Sequence, residues 1–86
     1  MNIREEVKNF SNVMEEKLQK NDHKGGWGDC SLDYLTLRMR EEQAELFESL
    51  RLYHMFPSED TRRRVEEECA DVANFCMMIA DRVRLS

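Results

Sequence analysis

The sequence has no apolar run approaching the roughly 20 residues that a membrane-spanning helix needs. It opens on Arg4, Glu5 and Glu6, where a secretory leader would place a basic end followed by an apolar stretch. A membrane or exported protein is therefore not expected, and a cytoplasmic one is. Proline is a single residue, Pro57, and glycine is confined to Gly25, Gly26 and Gly28, so helix breakers fall in two places only. Three cysteines cannot all pair internally, and Cys69 and Cys76 fall on apolar positions, where a thiol behaves as a small hydrophobe. That pattern fits a reducing compartment. Basic charge is in deficit: the net charge of -5 argues against binding a nucleic acid polymer through its backbone. The local exception, Arg62-Arg63-Arg64, reads as a solvated helix face.

The chain has 86 residues, with 41% hydrophobic and 36% charged side chains, the balance of one small soluble domain spanning 1–86. No internal repeat, low-complexity segment or domain boundary divides it. A chain this short buries proportionally little surface, and without disulfides it is expected to oligomerise as a homodimer or homotetramer.

Helical spacing of Ile3, Val7, Phe10, Met14 and Leu18 predicts a first helix over 3–18, with Asn2 and Glu5 placed as a capping box. Residues 19–29 hold all three glycines and form the main loop. Ser31 is placed to cap a second helix that reaches Tyr53. After the link His54 to Pro57, Ser58 is a good cap for a third helix, with Glu59 and Asp60 in its first turn and its end near Arg84. The short link makes the second and third helices antiparallel. The expected fold is all-α: a three-helix subunit with an antiparallel hairpin, completed as a helical bundle by oligomerisation.

Two acidic pairs interrupt the apolar pattern of that hairpin. In the second helix the stripe Leu35, Met39, Leu46, Leu50 and Tyr53 includes Glu42, with Glu45 at its edge. In the third, Val65, Cys69, Val72, Cys76, Ile79 and Val83 form a seam flanked by Glu68 and Asp71. At 1.5 Å per residue, both pairs lie roughly 12 to 15 Å from the hairpin end, so they meet at one level. Four carboxylates in a partly apolar cleft repel one another, and desolvation raises the cost of their ionised forms. A divalent cation relieves both. The donors are all oxygen, with no histidine or cysteine placed among them, which favours Mg²⁺, or Mn²⁺, over zinc. The competing reading is a solvated acidic face neutralised by arginines such as Arg38 or Arg82.

The motif Glu41-Glu42-x-x-Glu45 followed by Glu68-x-x-Asp71 resembles the signature of the MazG-like all-α nucleoside triphosphate pyrophosphohydrolases. Three further stretches add to it: Phe10 with Met14 to Leu18, Asn21-Asp22-His23-Lys24-Gly25-Gly26-Trp27, and the run from Ala70 to Asp81. These resemble the small phage-type members grouped as dATP/dGTP pyrophosphohydrolases, and the similarity extends from about Phe10 to Asp81. The resemblance implies hydrolysis between the α- and β-phosphates, giving monophosphate and pyrophosphate. It places Glu42, Glu45, Glu68 and Asp71 at metal-ligand positions, where Mg²⁺ neutralises the phosphates and eases formation of the attacking hydroxide. Glu41, one residue off the ligand face, is a candidate to orient or deprotonate the water.

Beside that resemblance, Asn74 is a polar side chain in an apolar run, suited either to a ligand or phosphate or to a neighbouring subunit. Lys24 can offer charge to phosphates. Trp27 either stacks on a base or plugs the loop onto the core. His23 reads as a surface residue, and the six methionines read as adaptable packing before a base-binding wall. The third helix is apolar nearly all round, and its Ala70, Ala73, Met77 and Ala80 side is expected to pack against another subunit. The two other classes the sequence allows are a catalytically inactive helical interaction module and a nucleotide-binding regulator on the same fold.

Overall fold

The computed structural model describes residues 1–85 and contains three α-helices and no strand among them: α1 (Glu5–Asn21), α2 (Leu32–Met55) and α3 (Glu59–Leu85). A single 3-10 turn (Asp22–Lys24) follows α1 and ends at Gly25, whose φ of 89° is the backbone conformation that glycine tolerates. The chain then crosses to α2. None of the three helices is long and apolar enough to cross a membrane.

Helix starts follow local chemistry in two of three cases. Ser31 Oγ accepts from the Tyr34 amide at 3.1 Å, and Ser58 Oγ accepts from the Thr61 amide at 3.1 Å. Thr61 completes a reciprocal cap, its hydroxyl accepting from the Ser58 amide at 2.9 Å. The capping box expected at Asn2 and Glu5 does not form. The N-cap of α1 is Arg4, with no side-chain bond, and Ile3 lies before the helix. At its other end α1 runs to Asn21, three residues past Leu18, and Asn21 Nδ2 donates to the Lys17 carbonyl at 3.1 Å.

Helices α2 and α3 form the expected antiparallel hairpin, and α1 packs on α3 without a close backbone approach to α2. The long helix α3 is therefore the shared wall. The innermost stripe of α2 is Leu35, Glu42 and Ser49, which recur every seven residues and are all buried. Leu50 and Tyr53, expected on that stripe, are exposed. Ser49 satisfies its hydroxyl by donating to the Leu46 carbonyl at 2.7 Å, so a fully buried serine leaves no unpaired donor.

The small-residue side of α3 is partly taken within the subunit. Ala70 is fully buried, and α1 reaches Asn74, whose Nδ2 donates to the Met14 carbonyl at 3.0 Å. Apolar exposure lies instead along α2 and its end, at Leu37, Phe47, Leu50, Met55 and Phe56, with Phe47 65% exposed. Cys76 is exposed as well, its Sγ 3.6 Å from Met39 Sδ, and no disulfide forms among the three free cysteines. The Cα radius of gyration is 14.1 Å, against about 12 Å for a compact chain of this length. The subunit is open and thin in the core.

Candidate metal centre

Helix α2 delivers Glu42, and α3 delivers Glu68 and Asp71, one i, i+3 step apart. One carboxylate oxygen from each lies within 4.8 Å of the other two. The spacing on α3 and the antiparallel hairpin bring these three together at the matched depth expected from the sequence. Glu45, the fourth expected ligand, is exposed and stands outside the close group, although it approaches Glu42. Glu41 is also exposed and turns to Arg38, whose Nη1 donates to Oε2 at 3.2 Å.

The cluster is under electrostatic strain. Glu42 is only 8% exposed, and its pKa is pushed from 4.5 up to about 7, first by burial and then by Glu45 and Asp71, while Arg38 pulls the other way. Burial also raises Glu68, with Asp71 and Glu45 adding to it. Asp71 is raised by burial too, against the ion pair that Lys17 makes with it. Oε2 of Glu42 and Oε2 of Glu68 are buried with no donor. Buried carboxylate oxygens are normally bonded, so the two orphans mark places open to a hydrogen-bond donor or a cation. An oxygen-only donor set of this size and spacing fits a hard divalent cation.

Two cations already lean on the cluster. Arg38 Nη2 donates to Glu42 Oε1 at 3.0 Å, and Lys17 Nζ lies 3.5 Å from Asp71 Oδ2. Arg38 thus does what a neutralised acidic face requires of it, while Arg82 does not: its Nε donates to the Cys30 carbonyl at 3.2 Å. Lys17 is not legible as a site residue from the sequence. It arrives through the packing of α1 on α3, and no local spacing announces that contact.

A cavity of about 450 Å³ opens beside the cluster, with Glu42, Asp71, Asn74, Lys17, Lys24, Trp27 and Arg38 on its walls. The glycine loop and the acidic hairpin therefore share one pocket. Trp27 is fastened there, its Nε1 donating to Asp81 Oδ2 at 2.9 Å, which supports the plug reading and still leaves the ring on the wall. Asn74 is 4% exposed and uses its amide nitrogen inside the subunit, on Met14, rather than on a neighbour. Its Oδ1 is buried without a partner. An amide oxygen accepts only, so it suits a hydroxyl or amine of a ligand and does not suit a phosphate. His23 is exposed, as expected, and is absent from the pocket wall.

No protein-family model, curated protein or solved structure matches the chain. The fold and the site together define a small all-α protein with a partly buried acidic cluster set between the helices of a hairpin.

Proposed function

We propose that the chain is a metal-dependent nucleoside triphosphate pyrophosphohydrolase acting on (deoxy)nucleotides, with purine deoxynucleotides as preferred substrates. The observation that carries this reading is one pocket holding two opposite chemistries. Glu42 and Asp71 face it from the hairpin with Glu68 beside them, Glu42 and Glu68 each keep a buried oxygen without a donor, and Lys17, Lys24 and Arg38 line the same space. A metal-bound triphosphate needs both. Glu42, Glu68 and Asp71 would hold the cation, with Glu45 reaching in from the rim. Bound there, Mg²⁺ or Mn²⁺ would offset phosphate charge and make a water easier to ionise.

The chain's own residues account for the remaining requirements. Lys24, exposed on the loop, offers charge to the phosphate tail. Trp27 presents an anchored ring for a base to stack on. Asn74 Oδ1 accepts from a sugar hydroxyl or a base amine, which both adenine and guanine supply. Glu41 is one residue off the ligand face and exposed, free to take a proton from water if Arg38 releases it.

A panel of deoxynucleoside and ribonucleoside triphosphates with Mg²⁺, scored for pyrophosphate, tests the reading. Release of pyrophosphate from dATP and dGTP ahead of dCTP and dUTP is expected. Faster turnover of the pyrimidines would overturn the base preference and leave the reaction class standing. Stabilisation by nucleotides without turnover would instead make the protein a nucleotide-binding regulator. Neither effect would leave an interaction module.

The apolar surface of α2 belongs to the same proposal. Burying each large side chain would contribute about 1.5 to 3 kcal/mol, and the open shape of the subunit leaves room for a partner helix. We expect a homodimer or homotetramer whose interface includes Phe47 and Leu50. Light scattering should give a multiple of the 10.3 kDa chain mass, and Phe47→Glu should reduce it. A wild-type mass of one chain at micromolar concentration would rule the assembly out.

A further inference from the structure

We propose that Lys17 and Arg38 are exchangeable counter-ions: they neutralise the acidic cluster when it holds no cation, and turn to the substrate's phosphates when it does. The inference rests on the pyrophosphohydrolase reading above.

Charge comes first. Glu42, Glu45, Glu68 and Asp71 carry four negative charges when ionised, and Lys17 and Arg38 return two of them. The contacts are partial. Arg38 reaches Oε1 of Glu42 and leaves Oε2 bare, while Lys17 meets Asp71 at 3.5 Å, and Glu68 Oε2 has no donor at all. Such pairing is enough to hold a metal-free site together and weak enough to be displaced. Once a divalent cation offsets two charges, each pair loses much of its attraction.

Geometry supplies the destination. Lys17 comes from α1 and Arg38 from α2, so they flank the cluster from two sides, and both already line the cavity. The Arg38 guanidinium lies 5.3 Å from the centre of the Phe75 ring, a cation–π contact that does not depend on the carboxylates. Released from Glu41 and Glu42, it keeps that support and a planar fork suited to phosphate oxygens. A lysine ammonium needs only a short swing of a flexible stem. With Lys24, three cations would then face the polyphosphate. The substrate thus meets cations that the metal has freed, so metal and nucleotide bind cooperatively, each raising the affinity for the other.

The exchange predicts changes of opposite sign, which a structural role does not. In Arg38→Gln and in Lys17→Met, Mn²⁺ alone should bind more tightly, by about five- to tenfold, because a competing cation is gone. A dATP analogue with a methylene bridge between its α- and β-phosphates, added with saturating Mn²⁺, should bind at least about tenfold more weakly. Mn²⁺ affinity is read by electron paramagnetic resonance and analogue affinity by calorimetry, with circular dichroism confirming that both variants fold. A fall in both affinities would mean that the residues only support the structure, and would overturn the exchange. Tighter Mn²⁺ with unchanged analogue binding would overturn the phosphate role, and unchanged Mn²⁺ affinity would overturn the competition. Absence of Mn²⁺ binding in the wild type would instead remove the metal reading itself, and the exchange with it.

Discussion

Glu68→Gln is expected to abolish pyrophosphate release while leaving the metal-free protein at least as stable as the parent. Glu68 Oε2 is buried without a donor, and its carboxylate is repelled by Asp71 and Glu45. Two unit charges 4.8 Å apart, the widest separation in the group, repel by about 3.5 kcal/mol at an effective dielectric of about 20. Glutamine removes that repulsion at constant shape, and its amide can donate to a neighbouring carboxylate. On the proposed function the variant loses one of three close ligands. The parent should gain about 2.7 kcal/mol when free Mg²⁺ stands roughly a hundredfold above its dissociation constant, and the variant should lose most of that gain. Thermal melts with and without Mg²⁺ report the stability, and a pyrophosphate assay reports the activity. A solvated acidic face predicts neither effect. Full hydrolysis by Glu68→Gln, or equal stabilisation of both proteins by Mg²⁺, would remove these carboxylates from the metal site.

The second large effect is a stability that falls as pH rises toward neutral. Glu42 moves from 4.5 to about 7 on folding, and Glu68 and Asp71 move in the same direction. A group whose folded pKa is raised binds its proton more tightly in the native state. Its contribution is therefore fully present below about 4.5 and is lost as pH climbs through about 7. A tenfold difference in proton affinity between the folded and unfolded chain corresponds to about 1.36 kcal/mol, so the metal-free protein should lose on the order of 1 to 3 kcal/mol across that window. Mg²⁺ should reverse the trend, since binding requires deprotonated carboxylates and releases protons. Urea unfolding at pH 5 and pH 8, with Mg²⁺ or with a chelator, measures both slopes. Glu42→Gln should flatten the metal-free curve. A metal-free protein that gains stability between those two pH values would show that the cluster is not strained.

Much of this arrangement is legible in the sequence for definite reasons. Ser31 and Ser58 announce helix starts because their hydroxyls satisfy amides that the helix leaves open. Glu42 is visible as a carboxylate in a core position, and the short link at Pro57 aligns it with Glu68 and Asp71. Other features depend on tertiary packing. A stripe of period seven drifts by about 20° per repeat, and the buried line Leu35, Glu42, Ser49 passes through a serine that an apolar pattern skips. Leu50 and Tyr53 stand exposed near the hairpin end of α2, and Glu45 lies on the rim, one i+3 step round from Glu42. The start of α1 differs from the expected one because Asn2 and Glu5 have cap chemistry, whereas the backbone turns helical only after Arg4. Lys17 joins the site across a long stretch of chain, where no local signal operates. The acidic motif and the Lys24-Gly25-Gly26-Trp27 loop, far apart in the chain, meet at one pocket through Glu42 and Asp71.

On the proposed function, Glu42, Glu68 and Asp71 form a divalent cation site. A titration of the wild-type protein with Mn²⁺ at pH 8, followed by electron paramagnetic resonance beside Glu68→Gln, tests it most directly. Saturable loss of the free Mn²⁺ signal in the wild type, competed by Mg²⁺ and largely absent in the variant, is the predicted result. A wild-type titration that follows the protein-free control, or one indistinguishable from the variant's, would contradict it.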